Sequence, residues 1–256
     1  MRSVHSSLQH LDRRVGTGRL RSTSRAVIVL LVAFVALLVS LVGAGCSGGG
    51  EATVDPAAVF AESASAMKAL QSFHFVYDVE NPPDAPQSSG TMIVRIVGDV
   101  TTDGNMQASI DLLQNGVPLK VEFVAAGPTH FVQDPSSQKW QGVPAAFSPV
   151  GALNLSAGTI QVLERITGLE YVGEENVGGG PAYRIKGQVE AADVAAIAGS
   201  TTAETPFEGE VWIGVTDHLV KRIVLLGAAT ANETAGTVRT IELSDFDKPV
   251  EIVPPQ

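Results

Sequence analysis

The sequence has 256 residues, 45% of them hydrophobic, with 17 lysines and arginines against 27 acidic residues and a single cysteine. That length allows one or two domains with a sizeable core, while a lone cysteine excludes an internal disulfide framework. Charge is segregated, with six arginines and one aspartate in residues 1–25 but 11 basic and 26 acidic residues from position 46 onward. So acidic a body repels a polyphosphate backbone, and no basic stripe with interleaved aromatics offsets it, so nucleic acid is excluded as a partner.

In chain order, the arginine-rich segment runs directly into residues 26–45, an uncharged stretch of Ala, Val, Leu, Ile, Phe, Ser and Gly. Twenty helical residues span about 30 Å, the thickness of a bilayer's hydrocarbon core. A positive flank stays on the cytoplasmic side, so the chain beyond it faces outward. The stretch ends in Gly43-Ala44-Gly45, directly before the only cysteine, Cys46, and the flexible Ser47-Gly48-Gly49-Gly50. This resembles a bacterial lipobox, in which the cysteine takes a diacylglyceryl thioether and the bond before it is cut. Ala44 and Gly45 fit the two positions before the cut, while Gly43 stands where Leu or Val is usual. Residues 1–45 are predicted as a lipoprotein signal peptide, 46–54 as a lipidated Gly/Ser tether, 55–250 as a single domain and 251–256 as a tail. Acyl chains contribute about 0.8 kcal/mol per buried methylene, enough to hold the mature protein on the outer side of the cell membrane.

Asp55-Pro56 starts a helix, with Asp as N-cap and Pro at the first helical position. Over residues 56–71, Val59, Phe60, Ser63, Met67 and Leu70 share one side. Phe73, Phe75, Tyr77 and Val79 then alternate with polar or intervening residues, the period of a half-buried strand. After a Pro-rich loop, strands are predicted near 91–97, 106–113 and 117–125, the last two joined by the hairpin dipeptide Asn115-Gly116. A short strand near 129–132 and a turn lead to Trp140. A helix over 156–167, strands over 169–177 and 182–190, and a short helix over 191–198 follow. Three strands, near 208–215, 219–227 and 237–246, close the chain. Strands in runs with short turns imply an antiparallel sheet, and the fold class is α+β.

Alternation places Phe75, Tyr77, Met92, Val94, Ile96, Ile110, Leu112, Leu119, Val121, Phe123, Tyr183, Ile185, Val211 and Ile213 on one apolar face. Arg95, Asp111, Lys120, Glu122, Arg184, Lys186 and Glu210 take the opposite face. Ten strands at about 4.8 Å make a sheet about 48 Å wide, whereas three helices about 10 Å across cover only about 30 Å of it. The apolar face must curl on itself, pair with a second sheet or another copy, or hold something apolar. An ordinary closed core satisfies the pattern as well.

Catalytic and metal constellations do not emerge. His74, His130 and His218 lack metal-ligand spacing, and no Gly-x-Ser-x-Gly elbow occurs. Gly178-Gly179-Gly180 precedes a strand rather than a helix, so it does not offer a helix N-terminus to a phosphate. Glu174-Glu175 reads as an exposed strand end, and Trp140 and Trp212 as packing residues or, alternatively, as the edge of a pocket.

The lipobox, the order of elements and several segments resemble the mycobacterial LppX/LprG/LprA/LprF family of cell-envelope lipoproteins, over roughly residues 46–256. The segments are Ala182-Tyr183-Arg184-Ile185-Lys186-Gly187, Val211-Trp212-Ile213, Asp217-His218-Leu219-Val220 and the closing run from Ile241 to Val250. The resemblance implies a curled antiparallel β half-barrel with helices over its concave face, LolA/LolB-like. It implies no enzyme and no cofactor, but a carrier that holds acylated lipids or glycolipids in an apolar cavity and moves them through the envelope. Its partners would be a membrane lipid or glycolipid, the membrane itself through acylated Cys46, and an export or transporter protein. The fourteen apolar-face residues are then candidate cavity residues. A structural or sensory lipoprotein of the same fold, acting through a protein partner, is the alternative.

Overall fold

The computed structural model describes residues 54–81, 91–148, 150, 153–198, 202, 204–230 and 233–256. The predicted signal peptide, Cys46 and all of the tether but Val54 lie outside them.

Helix α1 (Pro56–Ala69) begins as its sequence dictates: the Asp55 carboxylate accepts from the Ala57 N–H at 3.0 Å, and Pro56 needs no such partner. It buries Val59, Phe60, Ser63, Ala64 and Met67. Six strands follow: β1 (Ser72–Glu80), β2 (Thr91–Thr101), β3 (Met106–Gln114), β4 (Val117–Ala126), β5 (Thr129–Gln133) and β6 (Trp140–Pro144). Then come α2 (Leu155–Arg165), β7 (Thr167–Val177), β8 (Gly180–Val189), a 3-10 turn (Ala191–Val194) running into α3 (Ala195–Ala198), β9 (Phe207–Gly214), β10 (Val220–Leu226) and β11 (Val238–Ser244). Asn115 and Gly116 both have positive φ, at 50° and 81°, as a tight hairpin turn requires.

All eleven strands form one antiparallel sheet in the order β6-β5-β4-β3-β2-β1-β11-β10-β9-β8-β7. It is two meanders, β1–β6 and β7–β11, joined where the first strand pairs with the last. The sheet is curled and does not close, since β6 and β7 each lack a partner on one side. Register lines up one level across nine strands: Tyr171, Ile185, Val211, Ile223, Ile241, Tyr77, Ile96, Ile110 and Val121. Because side chains alternate, all nine point to one face. The core lies between that face and the helices.

Two details differ from expectation. No strand is expected over the five residues of β6, which include Gly142 and Pro144, yet they pair with β5 from Gln133↔Trp140 to Thr129↔Pro144. An edge strand needs hydrogen bonds on one side only, which is where proline is tolerated. The register of β2 against β3 also slips between Ile93 and Arg95.

Candidate functional site

Of the fourteen predicted apolar-face residues, ten are buried core: Phe75, Tyr77, Ile96, Ile110, Leu112, Val121, Phe123, Ile185, Val211 and Ile213. Leu119 and Tyr183 are partly buried against that core. Met92 and Val94 do not share the core face. The slip in β2 gives the inward position opposite Leu112 to Ile93 and sets Met92 opposite Leu113. One extra residue in a strand reverses the facing of everything beyond it. The thioether of Met92 instead lies 3.4 Å from the Asn81 amide. Cys46 lies outside the described residues.

The centre of the inner face is filled. Ile96, Ile110, Ile185, Val211, Ile223 and Ile241 have no accessible surface at all. At the β7–β9 end, Ile166, just after α2, packs where Gly187 has no side chain, and a Cβ there would sit 2.7 Å from its Cγ1. Away from the centre the cover thins. Val79, Ile93, Leu119 and Val132 on the sheet, and Leu153 and Ile160 from the helical side, are only partly buried.

Two polar groups interrupt this face. The Tyr77 phenol is pushed up to about 12 by burial, against the opposing pull of the Arg239 guanidinium. Arg239 is 1% exposed and sits opposite Val79 in the β1–β11 register. Its Nη2 donates to Glu233 Oε2 at 2.5 Å and its Nη1 to the Gly227 carbonyl at 3.0 Å. Only the alternation of Arg239, Ile241 and Leu243 in β11 points to this inward arginine in the sequence.

The outer face carries the ionic groups. Arg184 bridges Glu175 at 2.8 Å and Glu210 at 2.7 Å, Arg222 pairs with Glu242 at 2.6 Å, and both guanidinium groups lie over the Trp212 ring. The Trp212 indole donates to Glu175, and this bond and the Arg184 pair hold the Glu175 carboxyl below its usual range. A depression of about 690 Å³ lies on this same outer side, floored by Val224, Leu226 and Val238 and rimmed by Lys186, Gln188, Glu208 and Glu210. The histidines are scattered: His74 meets Asp99 at 2.9 Å, His218 faces Glu62 at 3.2 Å, and His130 stands edge-on to Phe123. Among the described residues no group of His, Cys, Asp or Glu is arranged to hold a metal, and no helix is long and apolar enough to cross a membrane.

An open, curled antiparallel sheet with an apolar inner face, a helical cover and an ionic ladder outside defines a half-barrel fold. The chain belongs to the LppX_LprAFG lipoprotein family, whose model matches residues 55–252. A similar protein of Mycobacterium leprae, named lipoarabinomannan carrier protein LprG, is 30% identical over 224 residues, 83% of this chain and 89% of the relative. The Mycolicibacterium smegmatis protein of the same name is 31% identical over 248 residues, 92% and 99% of the two chains. Among solved structures, LprF from Mycobacterium bovis superposes with a TM-score of 0.62 at 21% identity, covering 78% of this chain and 96% of that one. LppX from Mycobacterium tuberculosis gives 0.56 at 20%, covering 77% and 98%. These two share the fold. Both relatives bear the name of a carrier protein.

Proposed function

We propose that this protein is a membrane-anchored, extracytoplasmic lipoprotein that takes acylated lipids or glycolipids between its sheet and its helices and carries them through the cell envelope. The observation that carries this reading is the largely apolar inner face of one open sheet, in a chain similar over most of its length to proteins named as lipoarabinomannan carriers. In this reading residues 1–45 are the signal peptide, Cys46 bears the acyl groups, 46–54 tether the domain and 55–250 form it, with 251–256 as a tail. An export or transporter protein receives the lipid.

The filled centre of the inner face means that a ligand must displace cover rather than enter an empty chamber. The helical layer is the part suited to move. Its ties include the exposed pairs Lys68–Glu164 and Glu62–His218, and exposed pairs contribute little. The hydroxyls of Ser63 in α1 and Thr159 in α2 are buried without hydrogen-bond partners, which weakens the layer further. Acyl chains entering there gain about 25 cal/mol per Å² of apolar surface removed from water.

Native mass spectrometry of the chain expressed in a lipid-rich host tests the reading. Near-stoichiometric acyl lipid on the protein is expected. A ligand-free protein after exposure to lipid would instead favour a scaffold or sensor acting through a protein partner, and its filled centre agrees with that reading. In the Cys46→Ala variant, the protein should leave the membrane fraction or stay as an uncleaved precursor. Unchanged processing and acyl labelling would refute the lipidation.

A further inference from the structure

Arg239 stands alone as a buried cation on the inner face of the described strands. Val79 of β1 pairs with it. On the same side of the central level stand Leu112 of β3 and Leu119 of β4, paired with each other, while Ile93 takes the β2 place across the register slip. Val79 and Leu119 belong to the part of that face left partly accessible. Five strands from β11 to β4 span about 19 Å at 4.8 Å spacing. A buried cation therefore sits at one end of a half-open apolar strip, a layout complementary to an anionic amphiphile.

The donors around it are not used up. Arg239 Nε is buried with no hydrogen-bond partner, and so is the Thr234 hydroxyl in the β10–β11 connection. The Tyr77 phenol lies beside the guanidinium and stays protonated, a donor, at any physiological pH. The counter-charge is local: Glu233 comes from the same connection, six residues before Arg239, and not from the sheet. Its carboxylate also accepts the Ala229 N–H at 2.7 Å. A guanidinium fork suits the paired oxygens of a phosphodiester as well as those of a carboxylate. Leaving so costly a charge in an apolar face calls for a reason beyond stability, because a hydrophobic residue of similar volume would serve the fold at least as well.

We infer that Arg239 is the headgroup anchor of a bound lipid, taking a phosphodiester oxyanion in the place that Glu233 fills in this structure. The inference rests on the carrier reading and adds to it a ligand charge and a specificity-determining residue. Exchange of one monoanion for another leaves the charge of the site unchanged. The Glu233 carboxylate, already 16% exposed, passes to solvent.

The test uses the full chain in non-ionic detergent with three probes: phosphatidylglycerol, diacylglycerol with identical chains, and inorganic phosphate. Phosphatidylglycerol should bind at least tenfold tighter than diacylglycerol. Arg239→Met should abolish that difference by weakening phosphatidylglycerol binding, while Glu233→Gln should raise phosphatidylglycerol affinity several-fold more than that of diacylglycerol. Should Arg239→Met fail to fold, Glu233→Gln decides, because a purely structural ion pair would not make its affinity charge-selective. Equal binding of both lipids by the unmodified chain, or a preference that survives Arg239→Met, overturns the anchor while the carrier reading stands. Binding of neither lipid overturns both. Inorganic phosphate binding as tightly as phosphatidylglycerol would overturn the lipid assignment in favour of a free anion.

Discussion

The β9–β11 stretch of the sheet buries its inner face more completely than the β1–β5 stretch does. On the β7–β11 arm, Ile185, Val211, Ile223 and Leu225 have no accessible surface, Ile166 fills the space over Gly187, and the outer side is braced by the Arg184–Trp212–Arg222 stack with its glutamates. On the β1–β6 arm the central Ile96 and Ile110 are equally buried, but Val79, Ile93, Leu119 and Val132 keep accessible surface. Register slips occur in both arms, one between β2 and β3 and others between β7 and β8 and between β9 and β10, while the outer pairs of the β1–β6 arm are sparser, Arg95–Asp78 and Lys120–Asp111 among them. Close packing resists insertion of even a methylene, whereas a loosely covered apolar strip yields to it. The packed part of the second arm is β9–β11, since Leu169, Tyr171 and Tyr183 at the β7–β8 edge are only partly buried too.

Truncation should expose that division most strongly. Ile223→Ala on the packed arm is expected to cost about 2–5 kcal/mol, read from urea denaturation, with little direct effect on lipid retention. If lipid exchange changed as much as stability, the two arms would not be separable in this way. The junction of the arms should respond to alkali. Tyr77 has its pKa raised by burial to about 12, so the fold favours the protonated phenol. Its contribution is complete below pH 10 and disappears as pH rises through 12, about 3 kcal/mol in all at 1.36 kcal/mol per unit. Tyr77→Phe should flatten the stability profile over that window, and an unaltered profile would place the alkaline transition elsewhere.

Smaller effects sharpen the contrast. Gly187→Ala forces a Cβ to 2.7 Å from both Ile166 Cγ1 and the Thr167 carbonyl, and should destabilise by about 1–3 kcal/mol in thermal denaturation. A neutral result would mean that the packed arm has more slack than its burial indicates. Leu119→Ala on the open arm should cost about 2 kcal/mol or less, because the side chain is only partly buried, yet speed lipid release several-fold. Loss of stability without faster release would argue that Leu119 is ordinary core.

Much of this arrangement could be read from residue order. Alternation in Phe73–Val79 and in Val211–Ile213 placed the inner face of both arms, and the Asp55-Pro56 and Asn115-Gly116 signals fixed a helix start and a hairpin. What escaped has physical causes. Met92, Ile93 and Val94 are all apolar, so a one-residue slip among them leaves no trace in periodicity. Edge strand β6 has too few residues, with Gly142 and Pro144 among them, to show a pattern. Pairing of β1 with β11 joins the two ends of the domain and has no local signature. Val238 lies outward beside Val224 and Leu226 and Arg239 inward, in step with Ile241 and Leu243, but nothing in the sequence pairs Arg239 with Glu233. The candidate lining was thus legible as a face, while its polar end depended on tertiary pairing.

The molecule presents two apolar surfaces to a ligand: the strip of Val79, Ile93 and Leu119 under the helices, and the floor of Val224, Leu226 and Val238 on the outer side. Photocrosslinking with a diazirine-bearing phospholipid, followed by peptide mapping of the full chain, distinguishes them directly. Adducts on β1, β2 and β4 at the inner strip are expected. Adducts confined to the outer floor, or none above the level of an unrelated protein, would contradict carriage of lipid between sheet and helices.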